Sequence, residues 1–429
     1  MSLESDQTRV GQSSPQVPVD AALCQHEGSQ QVRSELLCDE SHTTMQLGDV
    51  YRIAFMITPQ TKGDVIDQTW EVVSTIREIL RRQSVPMFVT SQTVFMRSAA
   101  EIESVDHLFR AYYRDKMPAT NYVVQPPCGG EALAIEAWGI GGDGVHLHFP
   151  RNNVVEIEYN DLRWVYLSGI DSGSGGDAYS QSEQAFEELN RQLALSGTTF
   201  KDVVRVWIYQ GGITTLEGEV ERYRELNRAR TDFFDKLESQ GQMAVRRDGQ
   251  MFYPASTGIG TSGRNLVLSC MTLQTDRQDV RLLPLENPQQ TSAFDYAKTF
   301  SVKSPKFSRA MAVVIGDYIT TWVSGTASIV QSETVHLDDV EQQTEQTIDN
   351  IENLISAENF ARHDIERGGA RLTDLAKIRV YVKRPEDFET CRAVCERRFG
   401  SMPAVYAQAD VCRSNLLVEI EGVAFSQLR

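Results

Sequence analysis

The chain has 429 residues, enough for roughly two to four ordinary domains, and its 41 % hydrophobic and 24 % charged residues suit a soluble globular protein. A net charge of −17 repels phosphate backbones, so nucleic acid is not an expected partner, and an anionic ligand would need a local basic pocket. No apolar run approaches the roughly 18 residues of a membrane-crossing helix, and no charged-then-apolar leader opens the chain, so neither a membrane nor a secretory signal is expected.

Residues 1–44 are polar and aperiodic, and read as a disordered tail. After them the chain repeats a unit of strand, helix, strand, helix, strand, strand. The first unit spans 45–150. It has a strand over 51–58, then a helix over 64–82 with Ile66, Trp70, Val73, Ile76 and Leu80 on one face. A strand over 85–96, a helix over 100–115 and strands over 121–125 and 132–140 complete it.

The second unit, 151–290, has a strand over 164–169, a helix over 181–195 with Phe186, Leu189 and Leu193 inward, a strand over 202–209 and a helix over 219–237. The third, 291–429, has a strand over 318–324 and a helix over 339–355 with Val340, Thr344, Ile348, Ile351 and Ile355 inward. A strand over 376–382 follows, then a helix over 386–399 behind Pro385, a suitable first-turn residue.

A Pro-Ala pair opens the last hairpin of each unit: Pro118-Ala119, Pro254-Ala255 and Pro403-Ala404. Sixteen residues after the proline stand Ala134, Cys270 and Glu419, so one unit of the three has an acid there. A carboxyl among apolar strand neighbours loses water, which raises its pKa and suits it to donate a proton.

His146 and His148 alternate on a strand-like stretch with no acid or thiol constellation beside them, so no metal site is expected. The seven cysteines are irregularly spaced, and Cys391 and Cys395, four apart, lack a second pair. They read as reduced thiols of a cytoplasmic protein.

The Pro-Ala units, with the ending Leu417-Val418-Glu419-Ile420-Glu421-Gly422-Val423-Ala424, resemble domains of the Rid (YjgF-like) superfamily. Over about residues 160–429 the chain is similar to the chorismatase branch of that superfamily. The motifs are Pro254 to Gly260, Glu286-Asn287-Pro288, Phe307-Ser308-Arg309-Ala310, Val323 to Ile329, Ala357-Glu358-Asn359 and Asp410 to Arg413. The resemblance implies an α/β (α+β) fold of tandem Rid/chorismate-mutase-like units, each a mixed sheet packed against two helices, arranged as a pseudo-trimer. The chain could be a monomeric pseudo-trimer or a homo-oligomer.

It also implies cofactor-independent cleavage of chorismate to pyruvate and 3-hydroxybenzoate. Glu419 would protonate the terminal methylene of the enolpyruvyl ether, giving an oxocarbenium ion from which the ether bond breaks. Arg309 and Arg230 would hold the two carboxylates. Arg230 lies seven residues after Tyr223, as in the family pattern. Arg205 and Tyr209 alternate on one strand face and could reach the cleft, and Arg413 should point away from Cys412.

Gly325 and Cys412 match the residues of members that form 3-hydroxybenzoate; members that form a cyclohexadiene diol carry alanine at both. Ile208 departs from the pattern, which has Asn between Trp207 and Tyr209. A Rid-type enamine/imine deaminase would carry Arg two residues after the hairpin proline, where this chain has Thr120, Ser256 and Val405. A non-catalytic Rid-fold binding protein would lack the acid in every unit.

Overall fold

A computed structural model describes residues 32–37, 40–173, 175–245, 249, 251–295 and 303–428. Residues 1–31, most of the expected tail, lie outside them. The described part of that segment is strand: β1 (Val32–Leu37) pairs with β2 (Glu40–Leu47), and β2 with β3 (Val50–Ile57). His42, Thr43 and Met45 are buried, and the Thr43 hydroxyl donates to the Ala376 carbonyl at 2.8 Å. Pairing and burial outweigh the polar composition here.

The first six-stranded sheet adds β4 (Met87–Met96), β5 (Ala119–Val123) and β6 (Leu133–Gly142), in the order β1-β2-β3-β6-β4-β5. The second comprises β7 (His146–Arg151), β8 (Val154–Tyr159), β9 (Leu162–Asp171), β10 (Val203–Gly211), β13 (Ala255–Thr261) and β14 (Leu266–Gln274), ordered β13-β10-β14-β9-β8-β7; β11 (Leu216–Glu217) and β12 (Val220–Glu221) form a small separate ladder. The third has β15 (Val280–Leu285), β16 (Ala310–Ile315), β17 (Tyr318–Ala327), β20 (Leu375–Val382), β21 (Ala404–Gln408) and β22 (Val418–Gln427), ordered β15-β16-β17-β22-β20-β21; β18 (Ile329–Val330) and β19 (Glu333–Thr334) pair beside it. His146 and His148 do alternate on β7, and both are exposed.

Each Pro-Ala pair starts an edge strand, but not a hairpin. β5, β13 and β21 run parallel to β4, β10 and β20. A parallel partner needs a crossover, and a helix supplies it in each unit. Those helices are α2 (Ile102–Tyr113), α4 (Arg222–Ser239) and α7 (Phe388–Phe399). The second helix on each sheet is α1 (Val65–Arg81), α3 (Ala178–Leu195) or α5 (Val340–Ile355), with the short α6 (Ala357–Ala361) after α5.

On α1 the buried stripe is Val65, Thr69, Val72, Ile76 and Ile79, spaced four and three apart. Trp70 falls outside it and is 53 % exposed, unlike the inward position expected for it.

Each sheet packs one face on its helices. The other faces share a core with Ala54 and Trp138 from the first sheet, Trp164 and Tyr166 from the second, and Trp322 and Val423 from the third. The Arg52 guanidinium lies 5.3–5.9 Å from the ring centres of Trp138, Trp164 and Trp322. The fold is therefore mixed α+β, with three Rid-like units around one centre.

Candidate active site

Alternation along β22 fixes where its acids face. Val418 and Ile420 enter the core under the helices of the third sheet, so Glu419 and Glu421 face the opposite way, toward the second unit. Both carboxylates are buried, at 3 % and 4 % exposure, yet their surroundings differ in kind.

Glu421 is fully engaged. Arg205 from β10 and the hydroxyl of Thr257 from β13 donate to Oε2. Arg379 lies 2.9 Å from Oε1, and the Tyr381 hydroxyl donates to Oε1 at 3.0 Å. Burial alone would raise its pKa, but Arg379 and Arg205, with the two hydroxyls, hold the carboxylate below its usual range.

Among the described residues none donates a hydrogen bond to the Glu419 carboxyl. Burial first, then the Glu421 charge, pushes it up to about 8 against Arg205 and Arg309. Two carboxyls on one strand face are thus driven apart, one to stay ionised and one to carry a proton at neutral pH.

Two buried arginines share the ring of Phe307. Arg230 lies 5.5 Å and Arg309 5.4 Å from its centre. Arg230 is 3 % exposed and donates to Asn227 Oδ1 at 2.6 Å; its Nε has no hydrogen-bond partner, and it pairs with no carboxylate among the described residues. A buried guanidinium without a counter-charge is expensive, and an anion entering the site would supply one. Arg309 donates to the Thr291 carbonyl at 3.2 Å and shares its field with Glu419 and Cys412.

A side chain at Gly325 would meet the acid and require its carboxyl to move. A Cβ on the glycine would stand 2.0 Å from Glu419 Oε1 and 3.1 Å from Thr257 Cγ2. Its amide donates to Thr257 Oγ1 at 2.9 Å, within the register shift between Val323 and Thr326. Cys412 is half-buried; burial, then the charge of Glu419, pushes its thiol up to about 12. Tyr223 stands against Gly258 and interacts with Cys412, Arg230 and Glu419, with burial raising its hydroxyl pKa.

Glu419, Gly325, Cys412, Tyr223, Arg230 and Arg309 therefore meet between the second and third sheets. Two other candidates do not join them as ligands. Arg205 is 1 % exposed and committed to Glu421 and Thr257, so it acts on Glu419 through charge alone. Tyr209 accepts from Arg379 at 2.7 Å. Both side chains reach the inner face, as their alternation implied, but that face holds the ion pairs behind the acid. Arg413 turns to the β18–β19 ladder and donates to the Ser332 carbonyl at 2.9 Å. Ile208, where the family pattern has Asn, packs in the core between the second sheet and its helices, so its change removes no contact from the cleft.

Sequence reasoning gave no role to Glu286, although its motif contributed to the resemblance. One oxygen accepts the Arg309 amide at 3.3 Å, and the other is buried without a hydrogen bond. Burial pushes this carboxyl up to about 7, against the Arg309 charge. Asn227 and Thr257 were also missed. A polar residue inside an apolar helix face, or in a strand of small residues, carries no signal of its target until the elements are packed.

Two family descriptions match the chain: "Chorismatase FkbO/Hyg5-like, N-terminal" over residues 150–272 and "Endoribonuclease L-PSP" over 303–426. A 3-hydroxybenzoate synthase of Streptomyces hygroscopicus is 35 % identical over 232 residues, 52 % of this chain and 64 % of that protein, slightly under two thirds of its length. A chorismatase of the same organism is 34 % identical over 274 residues, 62 % of this chain and 74 % of that protein. The crystal structure of a chorismatase superposes with a TM-score of 0.63 at 22 % identity, covering 88 % of this chain and all of that one.

Proposed function

Because the chain belongs to the chorismatase family, we propose that it cleaves chorismate to pyruvate and 3-hydroxybenzoate, with Glu419 as the acid. The observation that carries this reading is the buried Glu419 carboxyl, to which no described residue donates a hydrogen bond, with Tyr223 interacting both with it and with Arg230, a buried guanidinium with no carboxylate partner among the described residues. Chorismate offers what each lacks, an electron-rich methylene to protonate and two carboxylates to hold.

Arg230 and Arg309, fixed against Phe307, bind the carboxylates. Glu419 gives its proton to the terminal methylene of the enolpyruvyl ether. The resulting oxocarbenium ion loses its bond to the ring, and pyruvate leaves. The proton that Glu419 gave up is replaced by one lost when the ring becomes aromatic, so the conversion consumes no water. Gly325 leaves room for the Glu419 carboxyl. Cys412, larger than the alanine of the diol-forming members, limits the space beside the ring, which favours the substrate's own hydroxyl over water and so favours 3-hydroxybenzoate over a diol. Tyr223 completes the wall, and Arg205 and Tyr209 belong to the charge network behind the acid.

We extend the reading to a cytoplasmic enzyme in which one chain supplies all three units of a pseudo-trimer. Among the described residues the five cysteines are free, and no helix is long and apolar enough to cross a membrane.

The test is incubation of the purified protein with chorismate, with the aromatic product identified by chromatography against standards. Equal amounts of pyruvate and 3-hydroxybenzoate are expected. A diol would contradict the product assignment, and no turnover would contradict the substrate.

A further inference from the structure

Glu421 is the one acid of the β22 pair that the proposed reaction does not use, and it is the better anchored of the two. Its carboxylate accepts from Arg205, Thr257 and Tyr381 and pairs with Arg379, so neither oxygen is left for a ligand. The pairing continues outward. Arg379 also pairs with Glu136 on β6 of the first sheet, and Glu136 pairs with Lys377. Five buried charged side chains thus run from the second sheet through the third to the first. Glu136 stands eighteen residues after Pro118, as Glu421 stands eighteen after Pro403, and Thr272 holds that position in the second unit.

A buried ion network is a poor way to gain stability, because a well-packed apolar set of similar volume often does as well or better. What the network does supply is a negative charge at a fixed place. Glu421 is two residues from Glu419 on the same strand face, roughly 7 Å along the strand. At that range, away from water, one charge acts strongly on the other.

The groups facing Glu419 are Arg205 from β10, Arg309 just before β16, Tyr223 from α4, Cys412 from the segment before β22, and Tyr381, its register partner on β20. Among them Glu421 supplies the like charge, opposed by Arg205 and Arg309.

We propose that Glu421 is a positioning residue for Glu419: an ion-paired carboxylate that does not meet substrate, but sets the electrostatic surroundings of the acid and is tied through Arg379 to Glu136 of the first unit. The first unit then takes part in the chemistry without lining the cleft. This rests on the assignment of Glu419 as the acid.

The test pairs a measurement that needs no turnover with one that does. In protein labelled at the Glu carboxyl carbons, the Glu419 resonance, identified by its loss in Glu419→Gln, is titrated by NMR. The pH dependence of pyruvate release is measured in parallel.

In Glu421→Gln the Glu419 midpoint should fall by about one pH unit or more, as expected when a like charge leaves a buried site. The alkaline limb of the rate should move with it. Glu421→Asp, which keeps the charge, should restore most of the shift. Glu136→Gln, which leaves the four partners of Glu421 in place, should move the midpoint the same way by less, and it decides the matter if Glu421→Gln does not fold. An unmoved midpoint in a folded Glu421→Gln, or equal shifts in the Gln and Asp variants, would overturn the proposal. Failure of the wild type to cleave chorismate would count against the proposed reaction, while the titration would still decide the coupling.

Discussion

The seam between the first and second sheets and the seam between the second and third are built alike, yet they are chemically opposite. In the first, the residue sixteen after the Pro-Ala proline is Cys270, which packs under the helices of the second sheet, and its neighbour Ser269 faces the first unit. That seam holds a cleft with about 330 Å³ of empty space, lined by Ser91, Gln92, Thr93, Asn121, Cys270 and Arg379. Its polar groups satisfy one another: Gln92 donates to Thr120 at 3.1 Å, Tyr113 to Gln92 at 3.0 Å, and Ser269 to Asn121 at 2.6 Å. Among the described residues, the other seam keeps a carboxyl without a donor and a guanidinium without a counter-ion. A cleft by itself therefore does not mark the reactive seam, because this one is satisfied. Unmet electrostatic demand marks it.

That contrast can be broken at several points, in decreasing order of effect. Replacing Glu419 by Gln keeps its shape and removes its proton. Pyruvate release should fall by about 10²–10⁴-fold, the usual contribution of a general acid. Gly325→Ala should come next. The new methyl group would occupy the place of Glu419 Oε1 and displace the carboxyl, and a misplacement of about 1 Å costs roughly 10²-fold in kcat/KM.

Arg230→Met removes a charge-assisted contact to substrate, so kcat/KM should fall by roughly 10- to 100-fold. The same change removes a buried charge that no described carboxylate pairs, so the Tm without substrate should hold or rise. A lower Tm would show that Arg230 already has its counter-charge.

A smaller effect concerns stability and pH. The ordinary Glu value is 4.5, and in the folded protein Glu419 is raised to about 8. The folded state therefore holds that proton more tightly than the unfolded chain. The stability it contributes is complete below about pH 4.5 and is lost as pH rises through 8. Thermal melts of the wild type should weaken over that window relative to Glu419→Gln. The least effect is expected at the residue sixteen after the second proline, where Cys270→Ala should leave turnover within about twofold, since the cavity it opens under the helices of the second sheet is a matter of packing.

Much of this contrast was legible in the sequence. The repeat period, the three Pro-Ala pairs and the single acid at position sixteen pointed to Glu419. The ordered motifs pointed to Arg230, Arg309, Gly325 and Cys412. Strand alternation put Arg205 and Tyr209 on the inner face, but alternation says which face a side chain takes and not what it meets there. Arg205 meets Glu421, and Tyr209 meets Arg379.

Trp70 was misplaced because its helix has two overlapping apolar spacings, and packing chose the one through Val72 and Ile79. The strands at the start of the described chain were hidden because their pairing partners, not their composition, stabilise them. The role of Glu421 was invisible for a similar reason. An acid two residues from another on a strand looks like an exposed face until the arginines of other elements are packed against it.

The most direct test of the central claim, that Glu419 is a neutral acid in a buried anion site, is the pH dependence of pyruvate release from chorismate at saturating substrate. The rate should be flat through neutrality and fall above about pH 8, and Glu419→Gln should show only a low rate with no such limb. A wild-type rate that instead climbs as pH rises from 5 to 8 would mean that the ionised carboxylate is the active form, and would contradict the account.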